Sequence, residues 1–194
     1  MKTVEIIGFK RANLGKGDSK ALRLEGNAPC VLYGGKEQVH FHTPMILFRD
    51  LVYTSEAAYV DLNIEGDKYK AILQDIQFHP VNEMILHADF LLLDEKKPIK
   101  MEIPVRFKGN SPGVIKGGKL TTKLRRLTVK AFPKEIPDEI VVDISNLELG
   151  KSIKVGDVEA GKFEILNNKF VSIASVQIPR ALRGKDAAGG SDDE

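Results

Sequence analysis

Ala58-Tyr59-Val60-Asp61-Leu62-Asn63-Ile64-Glu65-Gly66-Asp67-Lys68-Tyr69-Lys70-Ala71-Ile72-Leu73 is the stretch on which the fold class turns. Residues 58–65 alternate apolar and polar, and a side-chain period of two belongs to a half-buried strand rather than a helix. Gly66-Asp67 then turns the chain and 68–73 bring it back, which predicts a β-hairpin. The same signature recurs on both sides. Thr3–Phe9 is β-rich, and Met84–Leu93 is a further strand candidate. Ile99 to Phe107 alternates strictly, with Pro104 predicting an edge or bulged strand. Strands are also expected near Leu124–Phe132, Glu139–Ile144, Lys151–Val155 and Phe170–Ile178. The class is mainly β. Two helices break the pattern. One starts near Ser19 and stops at Gly26. The other opens with a capping hydroxyl and proline at Thr43-Pro44 and runs to Val52.

The chain has 194 residues, enough for one large or two modest domains, and at 42% hydrophobic and 29% charged it reads as globular. Asp94-Glu95-Lys96-Lys97-Pro98 is charged and ends in proline, so a boundary is placed there, giving domains 1–95 and 96–180. The second is expected to be all-β. Residues 181–194 are too polar to pack and are expected to form a disordered tail. The longest apolar runs are too short to span a bilayer, and residues 1–9 lack a small-residue cleavage site, so no membrane or export role is read. Cys30, the single cysteine, sits in an apolar run, which predicts a buried, inert thiol and fits a reducing cytoplasm.

Charge is unevenly spread although the formal net is only +2. Residues 1–24 carry six basic residues against two acids, and 96–134 carry twelve against Glu102 alone, while 25–95 and 135–194 are acidic. Two basic segments in a nearly neutral chain suggest surfaces facing a polyanion, with ordinary solvated faces as the alternative.

Enzyme chemistry finds little support. Gly113 to Thr121 is a near miss to a P-loop, but Leu120 stands where magnesium needs Ser or Thr, and strand rather than helix follows. A flexible basic loop is the expected reading. The four histidines, His40, His42, His79 and His87, have no cysteine partner and no helical metal-binding spacing. No catalytic residue, metal or cofactor is assigned. The stretch Gly15-Lys16-Gly17-Asp18-Ser19-Lys20-Ala21-Leu22-Arg23 looks built to hold phosphate, without saying whose. Asp75, Gln77 and His79 share one strand face, as do His87 and Asp89. Gln74 joins neither Asp75 nor Gln77 unless the strand bulges. Such a face offers donors and acceptors suited to base edges and 2′-hydroxyls, or else is simply solvated.

Taken in order, Gly15-Lys16-Gly17-x-Ser19, Arg23, Pro29, Val31-Leu32-Tyr33-Gly34, Gln74-Asp75-x-Gln77-x-His79-Pro80 and His87-x-Asp89-Phe90 resemble the bacterial large-subunit ribosomal protein family that binds 5S ribosomal RNA, in its two-domain form known as general stress protein CTC. The resemblance covers residues 2–180. It implies a small N-terminal β-barrel with short helices, lying against a widened minor groove of 5S RNA, and no catalysis. Carried over, it puts Arg11, Lys16, Ser19, Lys20 and Arg23 on the phosphate-facing loop and helix, Tyr33 at the end of the next strand, and Gln74, Gln77, His79, His87 and Asp89 on the face against the groove. It implies the large ribosomal subunit and its neighbouring proteins as partners, with no small-molecule substrate and a cytoplasmic location. A stress-linked protein-interaction module acting off the ribosome is the alternative. Three departures stand out: Lys20 where many relatives have Arg, Phe78 where relatives often carry a basic residue, and a barrel half, 1–95, whose ten basic residues against fourteen acids are less favourable than an RNA binder would be expected to have, so that its RNA face must be local. Beyond the resemblance, Lys116, Lys119, Lys123, Arg125 and Arg126 are expected to form a secondary, phosphate-directed contact on the second domain.

Overall fold

In the computed structural model, which describes residues 1–159 and 161–179, the hairpin of residues 58–73 forms two walls of a closed barrel. The six strands are β1 (Lys2–Lys10), β2 (Asn27–Tyr33), β3 (Val39–Pro44), β4 (Ala58–Ile64), β5 (Asp67–Phe78) and β6 (Ile85–Leu92). Around the barrel they run β1-β3-β2-β6-β5-β4, with β1 parallel to β4 and β2 parallel to β6. The alternation of β4 is fully expressed: Ala58, Val60, Leu62 and Ile64 point inward and are buried, and Tyr59, Asp61 and Asn63 are not. The turn falls one residue earlier than expected. Glu65 and Gly66, at φ 52° and 101°, form the two-residue loop between paired Ile64 and Asp67, the doubly positive geometry that suits the right-handed twist of a hairpin. Asn63 Oδ1 accepts the Gly66 N–H (3.1 Å), and the Glu65 carboxylate accepts the Lys10 N–H (3.1 Å).

The barrel interior is filled by Ile6, Leu32, Val60, Leu62 and Ile64 around three rings, Phe41, Phe48 and Phe90. Phe90 lies tilted against Phe41 and Phe48, with centroids 5.7 and 6.1 Å away. Gly8 makes room for this cluster, since a Cβ there would come within 2.6 Å of the Phe41 ring. Cys30 is 1% exposed, and burial, then Asp89, push its thiol far above the ordinary value, which bears out the inert reading.

Both predicted barrel helices exist in altered form. Helix α1 spans Lys16–Leu24, starting three residues before Ser19, and Gly26 at φ 81° ends it as expected. Thr43 does not cap a helix. It is a fully buried residue of β3 whose hydroxyl donates to the Ile7 carbonyl (2.7 Å), and a 3-10 turn, Met45–Phe48, leads into the short α2 (Arg49–Val52). The hydroxyl was claimed by the neighbouring strand, which is why the cap signal misled.

The second half forms a four-stranded sheet in the order β10-β7-β9-β12 and a three-stranded sheet in the order β11-β13-β8. Their strands are β7 (Ile99–Lys108), β8 (Lys119–Thr122), β9 (Arg126–Ala131), β10 (Ile140–Asp143), β11 (Ser152–Lys154), β12 (Glu164–Ile165) and β13 (Ser172–Gln177). Contrary to expectation, β7 is not an edge strand. Val105 N–H bonds the Arg125 carbonyl, so the N–H that Pro104 lacks would point the other way, where pairing with β10 begins only at Val105.

Residues 109–118 are not a loose loop either. Pro112–Ile115 form a single-turn helix, α3, and buried Ser111 and Gly113 bond the Leu147 carbonyl through their hydroxyl and N–H. A Cβ on Gly113 would lie 2.6 Å from Leu149 N, and one on Gly118 would lie 2.4 Å from a Val176 methyl. These glycines serve close packing rather than phosphate binding.

By compactness the described residues form two units, 1–101 with 131–138, and 102–130 with 139–159 and 161–179. Within the first, the Tyr59 hydroxyl donates to the Pro133 carbonyl (2.6 Å) and the Met1 amine pairs with Asp138 (2.6 Å). The expected tail, 181–194, lies outside the described residues.

Candidate nucleic-acid interface

The polar face depends on a backbone irregularity in β5. Leu73 pairs with Phe90 but Asp75 pairs with Asp89, so Gln74 is an extra residue on its strand. Tyr69, Leu73 and Ile76 pack on the core, so the inward-facing period skips one place at the bulge. Gln74 and Asp75 are therefore both exposed, one after the other. A second shift follows between Gln77, opposite His87, and Phe78, opposite Ile85. The bulge is the condition on which Gln74 could join Asp75 and Gln77, and it brings Gln74, Asp75, Gln77, His87 and Asp89 together on one outer surface.

One group on that surface is chemically unsaturated. His87 Nδ1 lies 2.7 Å from Asp89 Oδ1, at ion-pair distance, but the alignment is not that of a hydrogen bond, and Asp89 Oδ1 is buried without a hydrogen-bond partner. A buried acceptor of this kind is costly unless something else supplies the donor. Tyr33, at the end of β2, has its hydroxyl pKa raised by burial first and then by the negative charge of Asp89 and Asp75, so it stays a neutral donor beside them. His79 is placed differently. Its Nδ1 accepts the N–H groups of Val81 (3.3 Å) and Asn82 (3.5 Å), which fixes the turn to β6. Phe78, whose direction the sequence left open, is 38% exposed.

Helix α1 packs on β2 and reaches the neighbouring β6 through one basic residue. Arg23 Nε donates to the Leu86 carbonyl (3.0 Å), one residue from His87. Arg11, only 7% exposed, donates through Nη2 to Asp18 Oδ2 and Ser19 Oγ, both at 3.0 Å, and its Nε is buried without a partner. Ser19 Oγ in turn donates to the Gly15 carbonyl (2.8 Å). Arg11 and Ser19 are thus tied into the helix start, whereas Lys16 and Lys20 are exposed. No side chain caps the first turn of α1, and the space beside Gly15 and Gly17 is open, so its N–H groups can meet an anion directly. The Gly-Lys-Gly segment is a helix start rather than a loop. In the second unit Lys116, Lys119, Lys123, Arg125 and Arg126 are all exposed, spread from the end of α3 to the start of β9. Among the described residues no three His, Cys, Asp or Glu side chains gather as a metal site would require.

A closed barrel with a polar β5–β6 surface, and a basic helix that packs on β2 and reaches β6 through Arg23, has the surface chemistry of a binding protein. The sequence model of the Ribosomal L25p family matches residues 6–90, and that of the C-terminal domain of ribosomal protein TL5 matches 98–180. The chain is 61% identical to the large ribosomal subunit protein bL25 of Cytophaga hutchinsonii over 188 residues, covering 97% of this chain and 98% of that one. It is 55% identical to the bL25 of Amoebophilus asiaticus, covering 94% and 93%, and 45% identical to that of Bacteroides fragilis, covering 98% and 100%. The chain belongs to the Ribosomal L25p family, whose members are structural ribosomal proteins and not enzymes.

Proposed function

We propose that this protein is a structural component of the large ribosomal subunit in the bacterial cytoplasm and that its barrel binds 5S ribosomal RNA. The observation that carries the barrel's role is the bulged face: Gln74, Asp75, Gln77, His87 and Asp89 side by side, with a buried Asp89 oxygen that makes no hydrogen bond and has His87 Nδ1 at ion-pair distance. Gln amides and a carboxylate read base edges and 2′-hydroxyls, and neither side chain is a phosphate ligand by charge. Lys16, Lys20 and the uncapped start of α1 supply the phosphate contacts, with Arg11, Ser19 and Arg23 holding the helix in place and Tyr33 and His79 adding further polar contacts. The barrel's acidic balance, ten basic residues against fourteen acids over 1–95, makes this a local attraction rather than a field over the whole domain. The five exposed basic residues of the second unit make a weaker, sequence-independent phosphate contact.

Filter binding of the full chain to 5S ribosomal RNA and to an unrelated duplex of equal length tests the proposal. Tight, discriminating binding to 5S RNA is expected, with cosedimentation on the large subunit. Equal binding to both RNAs would remove the assigned role of the bulged face.

A further inference from the structure

Of the four terminal strands in the two sheets of the second unit, β10 and β11 border a common cavity, each with one edge unpartnered among the described residues. In the four-stranded sheet β10 is terminal and bonds only β7, and in the three-stranded sheet β11 is terminal and bonds only β13. A cavity of about 570 Å³ lies between them, lined by Val141, Asp143, Asn146, Ile153, Val158 and Glu159 among others. Ile144 N–H bonds Lys108 of β7, and backbone groups alternate sides along a strand. The N–H and C=O of Val141 and Asp143 therefore point away from β7, toward open space. Val141 is 51% exposed on a strand otherwise anchored by buried Ile140 and Val142. An unpaired edge with an exposed valine is the arrangement that proteins normally blunt with lysine or proline, and β10 has neither.

The charge around the cavity selects the occupant. Asp143, Asp157 and Glu159 line it, and its one cation, Lys151, is already paired with Glu148 at 2.7 Å. We propose that this groove accepts an extended, basic segment of another polypeptide, which adds as a strand to the free edge of β10 with apolar side chains against Val141, Ile153 and Val158. Main-chain bonds supply the affinity and the acidic rim the preference. Over residues 180–194 the chain's own three bases, Arg180, Arg183 and Lys185, are outnumbered by four acids, so that segment lacks the net positive charge the rim selects, and the charge of RNA opposes entry more strongly.

The test uses the full chain and a fluorescein-labelled peptide of alternating lysine and valine, read by anisotropy. Companion peptides replace lysine by glutamate or carry N-methyl groups at alternate amides. Binding of the lysine peptide alone is expected, together with new protection of the Val141 and Asp143 amides from hydrogen exchange. Val141→Pro removes an outward-facing donor without touching the β7 ladder, and Glu159→Lys reverses the rim. Each should weaken the peptide by about tenfold or more, while 5S RNA binding and the unfolding midpoint stay as they were. Absence of binding, equal binding of the N-methylated or glutamate peptide, or indifference to both substitutions would overturn the proposal.

Discussion

Asp89 on β6 and Lys16 at the start of α1 are expected to fail differently when removed. The Asp89 carboxylate has a buried oxygen in want of a donor, so Asp89→Ala or His87→Ala should cost about 1–3 kcal/mol on 5S RNA and little on an unrelated duplex. Lys16 is exposed at the helix start, so Lys16→Ala should weaken both RNAs alike and lower the slope of log K against log salt by about one. Parallel titrations of the two RNAs over a range of salt would show it, and equal losses on both for the Asp89 and His87 variants would dissolve the distinction. Arg11→Ala should behave like neither, because it releases Asp18 and Ser19 and with them the helix start. At Cys30, depth and the raised thiol pKa lead to a simple expectation: iodoacetamide at pH near 8 leaves the native protein unmodified and reacts only once denaturant opens the barrel.

Among the elements, the bulge at Gln74 offers the sharpest separation of fold from function. Deleting Gln74 leaves Leu73 inward, Asp75 outward, Ile76 inward and Gln77 outward, a plain alternation that the neighbouring strand can pair without interruption. The deletion should therefore keep a cooperative unfolding transition with an unchanged or higher midpoint, yet lose discrimination for 5S RNA. Gly66→Ala should do the reverse. At φ 101° it strains the hairpin turn, costs on the order of 1 kcal/mol in denaturant titration and leaves RNA preference intact. The strands that alternate, β4 and β7 above all, were legible in the sequence because period two survives in a half-buried sheet. Strand β2 was not marked by its own residues. Ala28, Pro29 and Cys30 are buried in succession, which erases the period, and its place emerged only through the resemblance. For the bulge the sequence supplies a condition and no more, since nothing in Leu73-Gln74-Asp75 distinguishes an inserted residue from the next regular one. In the second half, Pro104 and the glycines at 113 and 118 carried real constraints, but of packing and ladder register. Those depend on strands far away in sequence.

On the scale of the whole molecule, the charge distribution along the sequence located the acidic and basic segments only coarsely. What it could not give was where each basic residue lies, because Arg11, far from being a free cation, is sunk between Asp18 and Ser19. The second unit's cations remain outside. Charge reversal at Lys116 and Lys119 together should increase loss of the protein from the large subunit in a high-salt wash while free 5S RNA binding by filter assay holds steady. Unchanged retention would count against a phosphate contact there.

The two parallel pairings that close the barrel also set a timetable for synthesis. β1, complete at Lys10, waits for β4 at Ala58–Ile64, and β2 waits for β6, which ends at Leu92. Neither wall can be sealed by a local hairpin, so the loop-closure entropy is spent before the contacts that reward it exist. A nascent chain halted before β6 would hold only open sheet with unpaired edges, vulnerable to proteases and to pairing with other chains. Once β6 has emerged the barrel should close as one event, so that protease resistance on stalled ribosomes rises in a single step rather than strand by strand.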